Sequence, residues 1–321
     1  MKNGMTIIIC TYNGAERLSQ TIAHIAAQIV PTSIQWELIL ADNASSDDTI
    51  EMTKLAWEKH NLSHIPLRVI SEDVPGKLYA LQKAIREASN EYLIICDDDN
   101  WLATDYFEKA YNILDTMPEV GAAGGLGIPV TDDAGFPEWF KDYHYAYAVG
   151  PQAEKTGVLK PRAILWGAGL ATRRSLYLAM YKDYQSFLVE SETNVLSAED
   201  TEYCLRLILK GYKLYYDDTL VYWHYIPSFK LTTDFRDQKL IKGFQNSDII
   251  LRKYYAAMRA RLKTRGRPDI WFALLLIAPF NYLFAFSAKR AEKARNTLFH
   301  LLPFNIPTDD ISRRIKAFIR D

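Results

Sequence analysis

The stretch Glu91-Tyr-Leu-Ile-Ile-Cys-Asp-Asp-Asp-Asn-Trp101 decides the reading of this chain. Tyr92 to Cys96 is an unbroken apolar run, short and β-rich enough to be a buried strand. It leads straight into Asp97, Asp98 and Asp99. Adjacent carboxylates repel one another, and a chain keeps them at a strand end when a cation relieves the repulsion. Oxygen ligands select a hard ion, Mn2+ or Mg2+, which fills its other positions with water and substrate phosphates. The triplet therefore predicts a nucleoside diphosphate ligand. Its alternative is a solvated acidic turn, and the rest of the chain has to choose between them.

Upstream, Met5 to Cys10 reads as a strand, Thr11-Tyr-Asn-Gly14 as a turn, and Leu18, Ile22 and Ile25 as the apolar stripe of a helix. Trp36 to Ala41 is a second strand, followed by Asp42-Asn-Ala-Ser-Ser-Asp-Asp48. There Ser45 and Asp48 have capping-box spacing for a helix ending near Asn61. A third strand, Leu67 to Ser71, precedes Val74-Pro-Gly-Lys77 and a helix from Leu78 to Ala88. Strands alternating with helices predict an α/β fold with a mostly parallel central sheet flanked by helices. Ligands of such sheets bind beyond the carboxyl ends of the strands, where Thr11, Asp42 and the Asp triplet all fall.

Downstream, the glycine-rich run Val120 to Gly127 lacks the spacing of a phosphate loop and reads as close strand packing. Phe136 to Gly150 is crowded with aromatic residues, which suits either an acceptor wall for sugar rings or a hydrophobic cluster under a loop. Trp166-Gly-Ala-Gly169 offers backbone that a ligand can approach. Ser197-Ala-Glu-Asp-Thr201 opens a helix that stops at Gly211, and Ser197 with Asp200 again has capping-box spacing. Two short strands follow, Tyr212 to Tyr216 and Leu220 to Tyr225, split by Asp217-Asp218. His224 stands at the end of the second, and an imidazole there would complete a metal shell or simply be an edge histidine.

The totals fit this picture. At 321 residues, with 49% hydrophobic and 24% charged content, the chain is long enough for a substantial core and shows no sign of wholesale disorder. Cys10, Cys96 and Cys204 lie far apart in apolar surroundings and form no C-x-x-C pair, so they read as reduced core thiols and not as zinc ligands. No long apolar segment stands at the N-terminus, so a cleaved secretory signal is not expected. The net charge of -1 hides an asymmetry, because the segment from Arg252 onward is rich in Arg and Lys.

With these pieces together, the chain from about Met5 to about Pro227 resembles the family 2 glycosyltransferases, nucleotide-sugar-dependent enzymes of the GT-A fold. The likeness rests on T-I-I-I-C-T-Y-N from Thr6, A-D-N-A-S-S-D-D-T from Ala41, C-D-D-D-N-W from Cys96, W-G-A-G-L from Trp166 and A-E-D from Ala198. The resemblance implies that Thr11, Tyr12, Asn13 and Asp42 hold the base and ribose, with Lys77 in the donor loop. Asp97 or Asp98 would contact the ribose or complete the metal site, and Asp99 would bind the Mn2+ or Mg2+ that bridges the diphosphate. His224 stands where some members place a further metal ligand. Trp166, Gly167, Ala168, Gly169 and Glu199 would line the donor-sugar and acceptor side, and Asp200 would be the catalytic base. The D-x-D element has two registers here, Asp97 with Asp99 or Asp98 with Asp99, and Lys77 and Gln82 differ from many members. The implied enzyme is of bacterial type. It moves a sugar, UDP-linked by preference, with inversion onto a glycan or lipid-linked acceptor in polysaccharide synthesis. The rivals are an aspartyl-phosphate phosphatase-like enzyme, which Trp101 disfavours, and a catalytically silent nucleotide-sugar-binding protein.

Residues 1–235 are thus expected to form the catalytic domain and 236–321 a basic, helical extension. Ile270 to Phe286 is its most apolar run, too short for a span and interrupted by Pro279. Arg259, Arg261, Lys263, Arg265 and Arg267 precede it, and Lys289, Arg290, Lys293 and Arg295 follow. Basic flanks around an aromatic-rich apolar segment predict a helix or helical hairpin lying in an anionic leaflet, at the cytoplasmic face of the cell membrane. The alternative is packing on the catalytic domain or in a homo-oligomer. No nucleic-acid-binding fold accompanies the charge, so no nucleic-acid partner is expected.

Overall fold

The strand that begins the chain is the spine of the sheet. β1 (Lys2–Thr11) buries Met5, Ile7, Ile8 and Ile9 completely, as a strand covered on both faces must. The computed structural model describes residues 2–191, 194–264, 267–302 and 308–321. After β1 come α1 (Ala15–Ala26), β2 (Gln35–Asp42), α2 (Thr49–Glu58), β3 (Leu67–Ser71), α3 (Lys77–Glu87) and β4 (Asn90–Asp97). β2 and β4 flank β1 in parallel and β3 adds to β2, which is the predicted alternation. Ile7 and Ile9 face Leu18, Ile22 and Ile25 of α1, whereas Ile8 and Cys10 face Ala80, Leu81, Ala84 and Ile85 of α3. The period-two alternation of a strand thus sends one sequence to two helix layers.

The second half is mixed. Its elements are β5 (Asn100–Leu102), α4 (Tyr106–Thr116), β6 (Val120–Val130), α5 (Phe140–Tyr143), β7 (Gly157–Val158), β8 (Leu170–Arg173), α6 (Arg174–Tyr181), the hairpin of β9 (Val189–Ser191) with β10 (Asn194–Val195), α7 (Glu199–Lys210) and β11 (Lys213–Tyr225). The sheet order is β3-β2-β1-β4-β8-β6-β11-β5, with β7 on β11. β8 is antiparallel to both β4 and β6, while β6 and β11 are parallel to each other. The glycines of β6 serve close packing, since a Cβ on Gly125 would lie 1.7 Å from the Leu220 carbonyl oxygen. The two strands expected around Asp217-Asp218 are one continuous strand, whose pairing with β6 shifts register between Tyr216 and Val221. The aspartates therefore mark an irregularity, not a turn.

Neither capping box forms. α2 starts one residue after Asp48, and its first amide, that of Thr49, is held by Asp47 Oδ1 at 3.1 Å. α7 is preceded by Ala198 in the left-handed region (φ 84°), and the Ser197 hydroxyl turns away to Ser247. The helix does end as expected, on Gly211 at φ 96°.

Beyond β11 come α8 (Thr233–Phe235), α9 (Gly243–Thr264), α10 (Pro268–Leu283), α11 (Ala288–Leu301) and α12 (Asp310–Arg320). Ile250, Leu251, Tyr254, Ala257 and Met258 of α9, with Ile315 and Phe318 of α12, share one apolar cluster with Leu205, Ile208 and Leu209 of α7. Arg206, fully buried, ties these helices together. It pairs with Glu202 at 3.1 Å and donates to the Tyr254 hydroxyl at 2.9 Å and to the carbonyls of Met180 and Tyr184 at 2.6 Å each. α10 and α11 form a hairpin against α9, and only Ala278 of α10 is buried. No helix among the described residues is long and apolar enough to cross a membrane. Of the flanking basic residues, Arg267 pairs with Asp269 and Arg261 donates to the Ile319 carbonyl. Arg265 and the side chains of Lys263 and Lys289 lie outside the described residues.

Candidate active site

The three aspartates at the end of β4 point in three directions, and each meets its own cation. Asp97 Oδ1 lies 2.5 Å from Lys77 Nζ. Asp98 is gripped by the Arg17 fork, Nε on Oδ1 at 3.2 Å and Nη2 on Oδ2 at 2.8 Å, and also accepts the Thr11 hydroxyl at 2.6 Å. Asp99 places Oδ2 2.9 Å from Lys230 Nζ and Oδ1 3.4 Å from His224 Nε2. Burial alone would raise the Asp99 pKa, but His224 and Lys230 together hold it well below the usual carboxylate range. Asp98 goes the other way, because burial and the Asp99 charge outweigh Arg17 and keep its pKa raised.

Two backbone arrangements set this geometry. Gly14, at the entrance to α1, leaves room for the Thr11–Asp98 bond, since a Cβ there would fall 2.2 Å from Thr11 Oγ1 and 2.7 Å from Asp98 Oδ2. The chain then turns into β5, where Asn100 opposes His224 and Trp101 opposes Trp223, and the Asp99 carbonyl accepts the Tyr225 amide at 2.8 Å. That short antiparallel pair is what brings His224 beside Asp99.

The test for a divalent ion can be made on these groups. Among the described residues no cluster of three His, Cys, Asp or Glu side chains exists for a metal. Asp99 and His224 nevertheless face each other, and the ammonium beside them is a cation already held by the same carboxylate. One carboxylate and one imidazole fit an ion that takes water and phosphate oxygens at its other positions. Asp97, expected to share the metal, does not join them. Its carboxylate is turned to Lys77 by the charge that α3 presents at its first residue.

Asp42, at the end of β2, is buried and its Oδ1 has no hydrogen-bond partner. An orphaned buried acceptor carries a desolvation cost that an N–H donor would relieve. A cleft of about 300 Å3 opens beside it, lined by Asp42, Ser45, Asp47 and Lys54 among others. Asn13 sits at φ 48° and locks the two loops together, its amide donating to Ser45 Oγ at 2.9 Å and its side-chain oxygen accepting the Ser46 amide at 2.8 Å. Tyr12 is 61% exposed, leaving its ring free for a flat ligand.

On the facing side, Asp200 lies in the first turn of α7. Oδ2 accepts the Gly167 amide at 2.8 Å and Oδ1 the Thr201 amide at 2.6 Å. Burial, with the neighbouring Glu199 charge, pushes its pKa up to about 6. Trp166 is held through its amide by Gln152 Oε1 at 2.8 Å, Ala168 is buried, and Gly169, at φ 71°, gives its carbonyl to the Tyr106 hydroxyl at 2.6 Å. Glu199 Oε1 is 3.4 Å from Lys77 Nζ. One amine therefore touches both acidic loci, Asp97 and Glu199, which lie about 100 residues apart in sequence. The aromatic stretch 136–150 behaves as a hydrophobic cluster, with Phe140, Tyr147 and Val149 packed on Ile226 and Leu231. Sequence reading missed Arg17 and Lys230. Arg17 stands beside Glu16 in the first turn of an ordinary amphipathic helix, and Lys230 lies beyond the last recognisable motif, so neither carries a local signal.

Comparison with known proteins identifies the family and the fold. The family model described as Glycosyl transferase family 2 matches residues 6–177, more than half of the chain, and that of Glycosyl transferase family group 2 matches residues 92–302. A dolichyl N-acetyl-α-D-glucosaminyl phosphate 3-β-D-2,3-diacetamido-2,3-dideoxy-β-D-glucuronosyltransferase of Methanococcus voltae is 22% identical over 88% of this chain and 79% of its own length. Poly-β-1,6-N-acetyl-D-glucosamine synthase of Staphylococcus aureus is 21% identical over 80% of this chain, which spans 58% of that enzyme. Among solved structures, the mannosyltransferase PcManGT of Pyrobaculum calidifontis, in complex with GDP-Man and Mn2+, superposes with a TM-score of 0.55 at 20% identity, covering 93% of this chain and 86% of the other. S. aureus TarS 1-349 in complex with UDP gives 0.52 at 16%, covering 92% and 83%. These matches support the transferase over its phosphatase-like rival, and the chain is a GT-A-fold member of glycosyl transferase family 2.

Proposed function

We propose that this glycosyltransferase is divalent-metal-dependent and inverting, moving a sugar from a nucleoside diphosphate, uridine by preference, to a hydroxyl of a glycan or lipid-linked acceptor. The observation that carries the proposal is the Lys77 bridge, which brings the strand-end aspartates and the Glu199–Asp200 pair to one crevice. Departure of a nucleoside diphosphate leaves charge that needs a cation, and attack by a hydroxyl needs a base on the far side of the sugar. Asp99 and His224 would hold the Mn2+ or Mg2+, which supplies Lewis acidity at the diphosphate. Asp200 takes the acceptor proton at Oδ1 or Oδ2, and Gly167 and Thr201 keep that carboxylate oriented. Asp42 accepts the N3–H of uracil, Thr11 and Asn13 shape the loop that receives the ribose, and Tyr12 covers the base.

The M. voltae relative, by its name, acts on a dolichyl phosphate-linked sugar, and a lipid-linked acceptor agrees with the chemistry of the extension. Leu276, Leu283 and Phe286 are 77%, 75% and 93% exposed, and a cleft of about 580 Å3 is lined by Leu274, Ile277, Phe280 and Phe284 together with Arg259 and Arg290. Apolar side chains beside basic ones suit an anionic leaflet, which supports a position at the inner face of the cell membrane. The alternative cover for this face is a second copy of the chain.

Calorimetry of the full chain with UDP-, GDP- and dTDP-sugars in the presence of Mn2+ tests the proposal. Binding of a UDP-sugar that is lost in EDTA and weakened in Asp99→Asn is expected. Binding of none of them, or metal-independent binding and turnover, contradicts it.

A further inference from the structure

We propose that Lys230 is the resting counter-ion of Asp99 and couples metal binding to nucleotide binding, an inference that rests on the reading of Asp99 as the metal carboxylate. Lys230 belongs to a tight turn, Ser228–Leu231, that follows β11. The turn is fixed from several sides. Its Leu231 side chain packs with Phe140, Tyr147, Val149 and Ile226, the Lys230 carbonyl accepts the Tyr147 hydroxyl at 2.6 Å, and Ser228 Oγ donates to Asp133 Oδ1 at 2.7 Å. The aromatic stretch thus buttresses the turn that presents this lysine. The ammonium reaches Asp99 Oδ2 at 2.9 Å, and with His224 on Oδ1 both oxygens of the carboxylate are engaged.

A divalent ion at the same oxygens would face a like charge within a few ångströms, so bare metal binding is opposed until the ammonium leaves. Leaving is easy for this residue. Its four-carbon stem swings while the anchored backbone stays, and its side chain is 26% exposed on a path to solvent. A nucleoside diphosphate brings negative charge that offers the ammonium another partner. Nucleotide therefore frees Asp99 for the metal, and by linkage the metal favours the nucleotide.

The test is Mn2+ binding by the full chain, followed by calorimetry and by the electron paramagnetic resonance of free Mn2+. The parent, Lys230→Ala, Lys230→Arg and Asp99→Asn are compared, alone and with UDP or GDP. The parent is expected to bind Mn2+ weakly alone and at least ~10-fold more tightly with nucleotide, within the usual range of coupling between sites. Lys230→Ala is expected to bind Mn2+ alone more tightly than the parent does alone, and to gain less from nucleotide than the parent gains, the remaining gain being the ion's own ligation by phosphate oxygens. Lys230→Arg, which keeps the charge, is expected to stay weak. Equal or weaker Mn2+ binding by Lys230→Ala, in a variant whose thermal unfolding matches the parent's, overturns the counter-ion role while leaving the metal site standing. If the parent binds no Mn2+ with either nucleotide, or Asp99→Asn binds it like the parent, the metal reading fails and this inference falls with it.

Discussion

Replacing Asp200 with Asn separates a catalytic carboxylate from a structural one, because the two roles make opposite predictions for stability and rate. The carboxylate accepts the Gly167 amide at 2.8 Å and the Thr201 amide at 2.6 Å. Asn has one oxygen, so one of these bonds is lost at about 1 kcal/mol. Against that, the folded protein holds Asp200 at about 6, above its ordinary 3.8. A shift of this size corresponds to about 3 kcal/mol for a fully buried group, and solvent screening of the partly exposed Asp200 reduces it to about 1–2 kcal/mol. The sign follows from linkage. An acid whose pKa is raised on folding contributes stability below 3.8 that is lost as pH rises through about 6. Asp200→Asn keeps that contribution, so it should be slightly less stable than the parent in acid and about equal to it in neutral buffer. Thermal unfolding in the two buffers reads this directly. Transfer should meanwhile fall by about 10² to 10⁴, the usual contribution of a general base. In the parent, kcat/KM should rise with pH to a plateau above about 6 as the base loses its proton. A variant that unfolds normally and transfers at near the parental rate would refute the assignment.

Asp42→Ala removes the orphaned acceptor, and loss of the preference for uridine over other nucleotides is expected in competition binding. Breaking the buried pair with Arg206→Met strands Glu202 and should cost about 3–5 kcal/mol, seen as a fall in Tm on the order of 10 °C. Changing Leu276, Leu283 and Phe286 to Ser should release the protein from anionic vesicles in sedimentation without altering its oligomeric state; unchanged vesicle binding would leave a protein partner for that face. The substitutions serve better than truncation before Arg252, which would remove Tyr254 and Met258 from the core.

The N-terminal half was legible because its signals are local. Alternation in Met5 to Cys10 and the helical spacing of Leu18, Ile22 and Ile25 determine each element within a dozen residues, and crossover rules assemble them. The mixed half depends on pairing between distant segments. Nothing in Asn100-Trp-Leu102 announces that it will meet Tyr222-Trp-His224, yet that pairing builds the candidate metal site. Capping boxes failed for a related reason. Ser197 found a partner across the fold in Ser247, and Asp47 outcompeted its neighbour for the first amide of α2. The strand-end triplet is recognisable as a charged cluster, but its partners Arg17, Lys77 and Lys230 are recruited through space, so the sequence leaves Asp97 and Asp98 as alternatives for the ribose contact or the metal site, and the structure sets Asp97 on Lys77 and Asp98 on Arg17.

The most direct measurement of the proposed chemistry is the anomeric configuration of the first product, read by proton NMR as the parent enzyme turns over a UDP-sugar with Mn2+ present. A single displacement assisted by Asp200 predicts product with configuration opposite to that of the donor. Product of retained configuration would contradict the account.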